Sequence, residues 1–518
     1  MSKKIKISKK AVFAGILLLG GNLLFFFTIW LLSKYDNIDL DQVLFQMKSP
    51  ASGAHKNLLN SAFLRVGVFG FLSTALDIFL YYLLSGRLKK AFQKHAKYIS
   101  YCNTKVCRFF KKYMLSISSV LLIFSLLFFM IKLEVFGYIG SITTDSDFIK
   151  EHYVDPTSAT LTFPEEKRNL IYIFLESMES TYADTSAGGL ITEDFIPELT
   201  QLAKENVSFS HTSGVGGAYS YAGTTWTAAA MVTQTSGIPI KVPLTADTYG
   251  GQDEFIPGIV SIGELLEQQG YNQTLLLGSD AAFAGRDSYF TEHGNYNIVD
   301  IVSLKAEGRL PEDYLEFWGY EDQKLFGYAK EELTKLAEQN KPFNFTMLTV
   351  DSHFPDGYLC SLCENTHEEQ YANVLNCASK QVYAFIEWVK SQSFYENTTI
   401  ILSGDHLTMD PKFLADIDEN YQRTVYNCII NAPIDPVAEK EREFATFDMF
   451  PTTLAAMGVE IEGDRLGLGT NLFSDQKTLT EQYGYENLSN ELGKKSSFYN
   501  EEFLAMQKIL QKNKENEK

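Results

Sequence analysis

The sequence predicts a membrane anchor of apolar helices followed by an α/β domain with a mainly parallel central sheet. Three apolar stretches lie near the start of the chain, and each has about the 20 residues that a helix needs to cross a bilayer. From residue 169 onward, short apolar runs that are typical of buried strands alternate with helical segments. This order predicts parallel strands with helices on both faces of the sheet. The chain has 518 residues, which is too long for one simple core.

The three apolar stretches cover residues 11–33, 64–85 and 114–139. The first follows five lysines, as a cleaved signal peptide would, but its apolar run is too long and no small-residue cleavage site ends it. We therefore expect a retained membrane span. Asp77 lies inside the second stretch, where a carboxylate is costly. We expect it either to form an interhelical hydrogen bond or to line a path for lipid headgroups.

Charge is unevenly distributed along the chain. Residues 1–113 carry eighteen Lys and Arg but four Asp, whereas the whole chain has a net charge of -19. The acidic remainder would repel phosphates, which argues against nucleic acid as a partner. Five lysines precede the first apolar stretch, and nine Lys and Arg lie in residues 86–113. The positive-inside rule makes both segments cytoplasmic, so three spans carry the rest of the chain to the extracytoplasmic side of the cell membrane.

These patterns divide the chain into four parts. Residues 1–140 form the membrane anchor with three transmembrane helices, and the polar residues 141–168 form a linker. Residues 169–475 form the α/β domain. Residues 476–518 are charged and are expected to form a peripheral helical tail with a frayed end.

A polar pair follows one predicted strand of the α/β domain. Residues 398–403 are rich in β-branched and apolar residues, and Gly404 then ends the strand directly before Asp405 and His406. Open α/β sheets place their ligands at the C-terminal ends of the strands. An adjacent carboxylate and imidazole there can face a divalent metal. The alternative is a turn aspartate with a chance histidine beside it.

Other polar residues follow the same rule. Glu176 ends the apolar run 169–175 and is either a helix cap or a ligand, and His353 follows the strand at 343–350. Thr224, Thr225 and Thr227 stand at the start of a helix after a glycine-rich loop. A hydroxyl there is either a cap or a nucleophile that a metal would activate.

Four cysteines lie in the α/β domain, at Cys360, Cys363, Cys377 and Cys428. The first two have the spacing of a zinc ribbon, but no second Cys-x-x-Cys pair follows. On an oxidising face of the membrane, disulfides are expected rather than zinc, with Cys377 as the partner of one member of the pair. The connectivity is left open by the sequence.

Taken together, the motifs resemble a known family. An anchor is followed by Leu175-Glu176-Ser177, a threonine-rich helix start, Ser352-His353-Phe354-Pro355 and Gly404-Asp405-His406. The combination resembles the membrane-bound phosphoglycerol transferases and lipoteichoic acid synthases of the alkaline phosphatase/sulfatase superfamily, over most of residues 35–475. The resemblance implies a sulfatase-like fold for the α/β domain.

The resemblance also implies roles for individual residues. Glu176, Asp405 and His406 would be metal ligands. Thr225 would be the nucleophile and fourth ligand, preferred to its neighbours Thr224 and Thr227 because its spacing to Met231 matches the synthase pattern. His353 would bind the substrate phosphate or help to move a proton.

Two further comparisons with the family concern the substrate. Arg286 matches an arginine that contacts phosphate or glycerol. Leu277 and Ala284 stand where the synthases have a histidine and a tryptophan that line the glycerol site. The resemblance therefore does not imply that this chain uses an acceptor or polymerises as the synthases do.

The implied reaction is metal-dependent transfer of phosphoglycerol. The donor would be phosphatidylglycerol, the acceptor a cell-envelope glycan or polymer, and the intermediate a phospho-threonine, with release of diacylglycerol. A site of carboxylate, imidazole and alkoxide suits Mn²⁺, with Zn²⁺ or Mg²⁺ as alternatives.

Three alternatives remain open. The first is another reaction of the superfamily, such as phosphoethanolamine transfer or hydrolysis of a phosphodiester or a sulfate ester. Sulfatases need a Cys or Ser nucleophile in a Cys-x-Pro-x-Arg setting, which the sequence lacks, and phosphoethanolamine transferases would have five spans where three are predicted. The second is a non-catalytic membrane protein that binds glycan or lipid. The third is a structural envelope protein.

Overall fold

The computed structural model describes residues 9–35, 38, 40–49, 56–84, 104–243, 254–415, 417–418 and 420–504. These residues form two compact units. One takes in Met1–Asp36 and His55–Ile139, and the other takes in Asn37–Ala54 and Gly140–Lys518. Most of the basic loop at 86–113, and the end of the predicted tail at 505–518, lie outside the described residues.

The described residues up to residue 143 form six α-helices. These are α1 (Lys9–Leu32), α2 (Leu40–Lys48), α3 (Lys56–Ala62), α4 (Phe69–Leu84), α5 (Thr104–Lys132) and α6 (Val135–Thr143), with a π-helical turn at Phe63–Val68 between α3 and α4. Three segments are long and apolar enough to cross a membrane, namely Lys9–Leu32, Leu59–Tyr82 and Lys112–Lys132. They coincide with the three predicted stretches and identify the chain as a membrane protein.

Polar side chains join two of these helices. Asn22 on α1 donates to Asp77 Oδ2 on α4 at 2.8 Å and to Thr74 Oγ1 at 3.1 Å. The hydrogen bond offsets part of the cost of a carboxylate in an apolar helix. This is the interhelical alternative of the two that were expected for Asp77.

Eleven strands follow among the described residues of the second unit. They are β1 (Leu161–Thr162), β2 (Asn169–Leu175), β3 (Gly217–Ala218), β4 (Asn272–Leu277), β5 (Asn297–Val299), β6 (Phe343–Leu348), β7 (Thr398–Gly404), β8 (Val425–Ile430), β9 (Glu460–Ile461), β10 (Arg465–Leu466) and β11 (Gly469–Thr470). Seven of them form the central sheet in the order β3-β8-β7-β2-β6-β4-β5. The strands from β7 to β5 in that order run parallel, and β8 and β3 are antiparallel to their neighbours. The predicted mainly parallel sheet is confirmed.

Helices cover both faces of this sheet. The helices described in the second unit are α7 (Phe148–His152), α8 (Pro197–Glu205), α9 (Thr227–Ser236), α10 (Ile262–Gln268), α11 (Arg286–Glu292), α12 (Ile301–Ala306), α13 (Asp322–Ala337), α14 (Gln370–Lys390), α15 (Met449–Ala456), α16 (Leu479–Tyr483) and α17 (Tyr485–Gly493). Residues of α8, α13 and α14 pack with the central strands in one hydrophobic core. On the other face, Tyr172 of β2 donates to Gln234 of α9, and Thr399 of β7 donates to the Ala456 carbonyl of α15.

The strands β2, β6, β7 and β8 are buried along their whole length. A strand that is covered on both faces needs apolar side chains on both faces, which explains why these segments read as continuous apolar runs rather than as alternating patterns.

Two segments differ from the expected organisation. Residues 37–54, which the sequence analysis assigned to the anchor, group with the second unit and contain α2. The expected linker at 141–168 contains α7 and β1. Short polar elements of this kind lack the long periodic pattern from which secondary structure is predicted.

Candidate active site

The site begins where two neighbouring strands end. β2 and β7 are parallel and in register, so that Leu175 lies opposite Gly404. The next residues, Glu176 and Asp405, therefore leave the same edge of the sheet side by side. A β-carbon on Gly404 would lie 1.9 Å from the Met178 carbonyl oxygen, so the close approach of the two chains requires glycine at this position.

Glu176, Asp405 and His406 form a buried group that we call the carboxylate–imidazole cluster. One ligand atom from each lies within 4.8 Å of the others. His406 Nε2 is 3.4 Å from Asp405 Oδ2 and 3.6 Å from Glu176 Oε1. The structure thus brings together the three residues that the sequence analysis named as metal ligands.

The donor set of this cluster fits a divalent cation. Asp405 Oδ1 accepts the backbone N–H groups of Ser177 and His406, both at 2.7 Å. Its other oxygen, Oδ2, is buried and has no hydrogen-bond partner within the described part of the chain. Burial, together with the charge of Asp405, raises the pKa of Glu176 well above its usual range. Two buried carboxylates that face each other are unfavourable unless a cation or a proton lies between them.

The imidazole has the orientation of a ligand. His406 Nδ1 lies 2.8 Å from the Leu407 carbonyl oxygen, which assigns the ring proton to Nδ1. The lone pair of Nε2 then faces the two carboxylates. Backbone carbonyls hold metal-binding histidines in the same way.

The three threonines have different surroundings. Thr227 is the first residue of α9, and its Oγ1 is 3.3 Å from both Glu176 Oε2 and His406 Nε2. Thr224 Oγ1 donates to the Tyr221 carbonyl at 2.9 Å and accepts the Tyr221 N–H, so it stabilises the preceding turn. Thr225 Oγ1 is shielded and has no hydrogen-bond partner among the described residues. The hydroxyl that the structure brings to the cluster is that of Thr227.

The position of Thr227 follows from the start of α9. Trp226 has extended backbone dihedrals, and the helix begins with the next residue. The first N–H groups of a helix lack intrahelical partners and favour anions. Thr227 is only partly buried, and it lies at this end of the helix.

A helix from the N-terminal part of the sequence packs beside this threonine. Phe45 of α2 is fully buried, and its ring centroid lies 5.3 Å from that of Trp226. Gln42 Nε2 donates to Met409 Sδ at 3.3 Å, and Lys48 Nζ donates to the Pro243 carbonyl at 2.8 Å. This helix is not predicted from the sequence because a nine-residue amphipathic segment between two apolar stretches resembles an ordinary loop.

Arg286 begins α11, and its guanidinium is buried. Its Nη2 donates to Ser279 Oγ at 3.0 Å and to the Asp280 carbonyl at 2.7 Å. Burial lowers the pKa of Arg286 to about 10, and the negative charge of Glu176 opposes that shift. The guanidinium of Arg286 is therefore close enough to Glu176 for the two charges to interact.

His353 lies in the loop after β6, among aromatic rings. Its ring centroid is 4.5 Å from that of Trp318, and the Trp318 ring is 5.7 Å from that of Phe283. Its neighbour Ser352 donates from Oγ to the Glu176 carbonyl at 2.6 Å, which ties this loop to the end of β2. Trp318 was not identified from the sequence. Leu277 and Ala284 are buried, and the rings of Trp318 and Phe354 provide aromatic surface beside His353.

A buried ion pair supports the loop that follows His406. Burial alone would raise the pKa of Glu179, but Arg423 and several hydrogen bonds lower it. Arg423 Nη2 lies 2.7 Å from Glu179 Oε1, and the same oxygen accepts the Thr408 N–H at 3.0 Å. Glu179 and Arg423 were not identified from the sequence, since neither stands directly at a strand end.

The four cysteines of the second unit are free thiols. The sulfur of Cys360 lies 3.6 Å from that of Cys363 and 3.9 Å from that of Cys377, compared with about 2.05 Å in a disulfide. Cys428 lies on β8 and is directed at the Leu202 carbonyl. The predicted disulfides are therefore not found among the described cysteines.

The sequence profile of the Sulfatase family matches residues 168–459. The chain therefore belongs to the Sulfatase family, and the predicted membership in the alkaline phosphatase/sulfatase superfamily of enzymes is confirmed. Among curated relatives, Phosphoglycerol transferase I of Escherichia coli (strain 55989 / EAEC) is 31% identical over 285 residues, which are 53% of this chain and 35% of the relative. The same protein of Escherichia fergusonii is 30% identical over the same shares. The chain thus spans about a third of the length of these relatives.

Solved structures give weaker similarities. A protein of the alkaline phosphatase superfamily from Vibrio parahaemolyticus has a TM-score of 0.49 and 22% identity, over 65% of this chain and 79% of that one. A lipoteichoic acid synthase from Listeria monocytogenes has a TM-score of 0.47 and 19% identity, over 63% and 80%. The lipooligosaccharide phosphoethanolamine transferase A from Neisseria meningitidis has a TM-score of 0.45 and 15% identity, over 82% and 80%.

Proposed function

We propose that this protein is a metal-dependent transferase that moves phosphoglycerol from phosphatidylglycerol to a glycan or polymer of the cell envelope and releases diacylglycerol. The observation that carries the proposal is the meeting of the carboxylate–imidazole cluster with the Thr227 hydroxyl at the start of α9. The curated relatives named phosphoglycerol transferase favour this reaction over others in the family.

The nucleophile in this proposal is Thr227 rather than the predicted Thr225. The support is geometric, because the Thr227 hydroxyl lies 3.3 Å from two members of the cluster, whereas that of Thr225 makes no hydrogen bond to the described residues. Thr227 was one of the two alternatives that the sequence had left beside Thr225.

The donor set of two carboxylates, an imidazole and a hydroxyl suits Mn²⁺, with Zn²⁺ or Mg²⁺ as alternatives. Glu176, Asp405, His406 and Thr227 would hold the ion. When bound, it would favour the alkoxide form of the threonine and neutralise charge on the phosphoryl oxygens. Thr227 would also stay fixed in orientation by the first turn of α9.

In the first step, Thr227 Oγ1 forms a bond to the donor phosphorus, and the bond from phosphorus to the diacylglycerol oxygen breaks. The proton that leaves the Thr227 hydroxyl goes to the released oxygen, with His353 as the candidate carrier at the strand edge. The guanidinium of Arg286 and the N–H groups at the start of α9 would stabilise negative charge on the phosphoryl group. In the second step, an acceptor hydroxyl attacks the same phosphorus, the bond from phosphorus to Thr227 Oγ1 breaks, and the acceptor's proton restores the Thr227 hydroxyl.

The same proposal includes three membrane crossings, with the second unit on the extracytoplasmic side. The lysines at the start of the chain and the basic residues 86–113 support this orientation through the positive-inside rule. A lipid donor in the outer leaflet would then lie on the side of the membrane that holds the enzyme's site.

The test follows release of diacylglycerol from fluorescent phosphatidylglycerol by the purified full-length protein with Mn²⁺. Wild type and Thr225→Ala are expected to release it, while Thr227→Ala loses at least about 10³-fold in rate. Loss of activity in Thr225→Ala alone would return the nucleophile to Thr225. Equal activity in all three proteins would exclude a threonine intermediate. Release from phosphatidylethanolamine, but none from phosphatidylglycerol, would identify a phosphoethanolamine transferase instead.

A further inference from the structure

A second group of metal-ligating atoms lies outside the candidate active site. Cys360 and Cys363 belong to the loop between β6 and α14, and Cys377 lies in the second turn of α14. Their three sulfur atoms all lie within 4.8 Å of one another. Cys360 and Cys377 are buried and Cys363 is partly exposed. We call these residues the thiol cluster.

The spacing of the sulfurs matches the edges of a metal-centred tetrahedron. Zinc binds thiolate sulfur at about 2.3 Å, so two sulfurs of one tetrahedral site lie about 3.8 Å apart. The separations of 3.6 Å between Cys360 and Cys363 and 3.9 Å between Cys360 and Cys377 are close to this value. A disulfide would require about 2.05 Å.

The number of thiols also favours a metal. One disulfide among three cysteines leaves a free thiol, and Cys428 of β8 cannot pair with it because its sulfur is buried against the Leu202 carbonyl of α8. Three thiolates on one ion use all three sulfurs of the thiol cluster.

The surrounding backbone and side chains support the same arrangement. The Cys363 N–H donates to the Cys360 carbonyl at 3.1 Å, which closes the turn and holds both sulfurs on one side. Gln381, one helical turn after Cys377, directs its Nε2 at the sulfurs of Cys377 and Cys360, at 3.5 and 3.7 Å. An amide donor that faces sulfur stabilises a thiolate, as groups around metal ligands commonly do.

We propose that Cys360, Cys363 and Cys377 bind one zinc ion through three thiolates, with the fourth position open on the partly exposed side of Cys363. Soft sulfur ligands in a tetrahedral arrangement select zinc over the harder cations that suit oxygen ligands. Binding converts three thiols to thiolates and releases three protons to solvent. The ion would join the loop that begins beside His353 to the helix α14, and it would do so whatever reaction the active site performs.

The test measures zinc in the purified full-length protein by elemental analysis. All proteins in this test carry Asp405→Asn, which removes a ligand of the carboxylate–imidazole cluster. Zinc bound at that cluster is therefore not counted. We expect about one zinc per chain in this background. We expect that zinc to be lost in Cys363→Ser and in Cys377→Ser, and to be kept in Cys428→Ser, which removes a buried thiol outside the thiol cluster.

A second measurement covers variants that fail to fold. Cobalt added to the zinc-free Asp405→Asn protein should give a sulfur-to-metal charge-transfer band, and alkylation of the thiols should abolish it. Zinc that persists in both cysteine variants, an absent cobalt band, or an isolated zinc-free protein with a disulfide inside the thiol cluster would overturn the proposal. None of these readouts depends on transferase activity, so failure of the proposed function leaves the zinc test unaffected.

Discussion

The carboxylate–imidazole cluster and the thiol cluster hold their donor atoms by different means. Glu176 and Asp405 are forced together by the register of two parallel strands, whatever ion is present. The thiol cluster is assembled from a turn and a helix, and protonated thiols pack there as small apolar groups. Without a metal, charge repulsion therefore lowers the stability of the carboxylate–imidazole cluster but not that of the thiol cluster. Removal of metal should destabilise the two regions unequally.

The largest expected effect is that of Asp405→Asn. Turnover should fall by at least about 10³-fold, because the proposed metal ligand and its charge are lost. The unfolding temperature of the metal-free protein should rise by a few degrees, since the new amide can donate where Oδ2 now has no partner within the described chain. Calorimetry with and without chelator measures the second effect. A lower unfolding temperature in the metal-free variant would contradict the repulsion on which the comparison rests.

The next effect concerns the packing beside Thr227. Phe45→Ala should cost about 3–5 kcal/mol of unfolding free energy, as for other buried aromatic residues. It should also lower turnover several-fold through movement of Trp226. Met47→Ala on the same helix is the matched control, because Met47 is 78% exposed. Denaturant unfolding and steady-state rates measure the two effects. Equal behaviour of the two variants would show that α2 does not position the threonine.

A buried pair of carboxyl groups outside the two clusters tests the effect of burial and repulsion apart from the proposed metal sites. Asp322 and Asp351 are a buried pair of carboxyl groups near Cys360, and burial followed by neighbouring charges raises the pKa of both. The unfolded carboxyls ionise near pH 4, before the folded ones, so this pair should lower stability progressively as the pH rises above about 4. Asp351→Asn should flatten the fall in unfolding temperature between pH 5 and pH 8. An unchanged pH profile would mean that the pair does not remain protonated in the folded protein.

The smallest expected effect is that of Gln381→Leu on the thiol cluster. Loss of the amide donor should weaken zinc binding about tenfold and leave turnover unchanged. Gln392→Leu is the control, because the Gln392 amide donates to the Trp388 carbonyl rather than to sulfur. Competition with a zinc-binding dye measures the affinities. Equal affinities would remove Gln381 from the site.

Much of the cluster at the sheet edge was predictable from the sequence. Continuous apolar runs identify buried parallel strands, and the residues after them must meet at one edge, which locates Glu176, Asp405 and His406. The choice among the threonines was not predictable, because it depends on the first residue of α9, and helix ends are uncertain by one or two residues. Here the helix begins at Thr227, after an extended Trp226.

The thiol cluster was not predictable either, because its third sulfur depends on where the helix α14 begins. The sequence predicts a helix over residues 379–392, whereas α14 begins at Gln370. Cys377 therefore lies within a helix, where its side chain has a fixed direction towards the Cys360–Cys363 turn. Spacing in the sequence indicated the turn but could not show that a third sulfur from the helix reaches it.

The packing of α2 affects how the second unit folds during synthesis. The hydrogen bond between Gln42 and Met409 joins residues 367 positions apart, so α2 emerges from the ribosome long before the surface that it covers. A soluble fragment that starts at residue 140 would expose the Trp226 face and should self-associate. A synthetic peptide of residues 37–54 added to that fragment should bind the exposed face and restore its solubility.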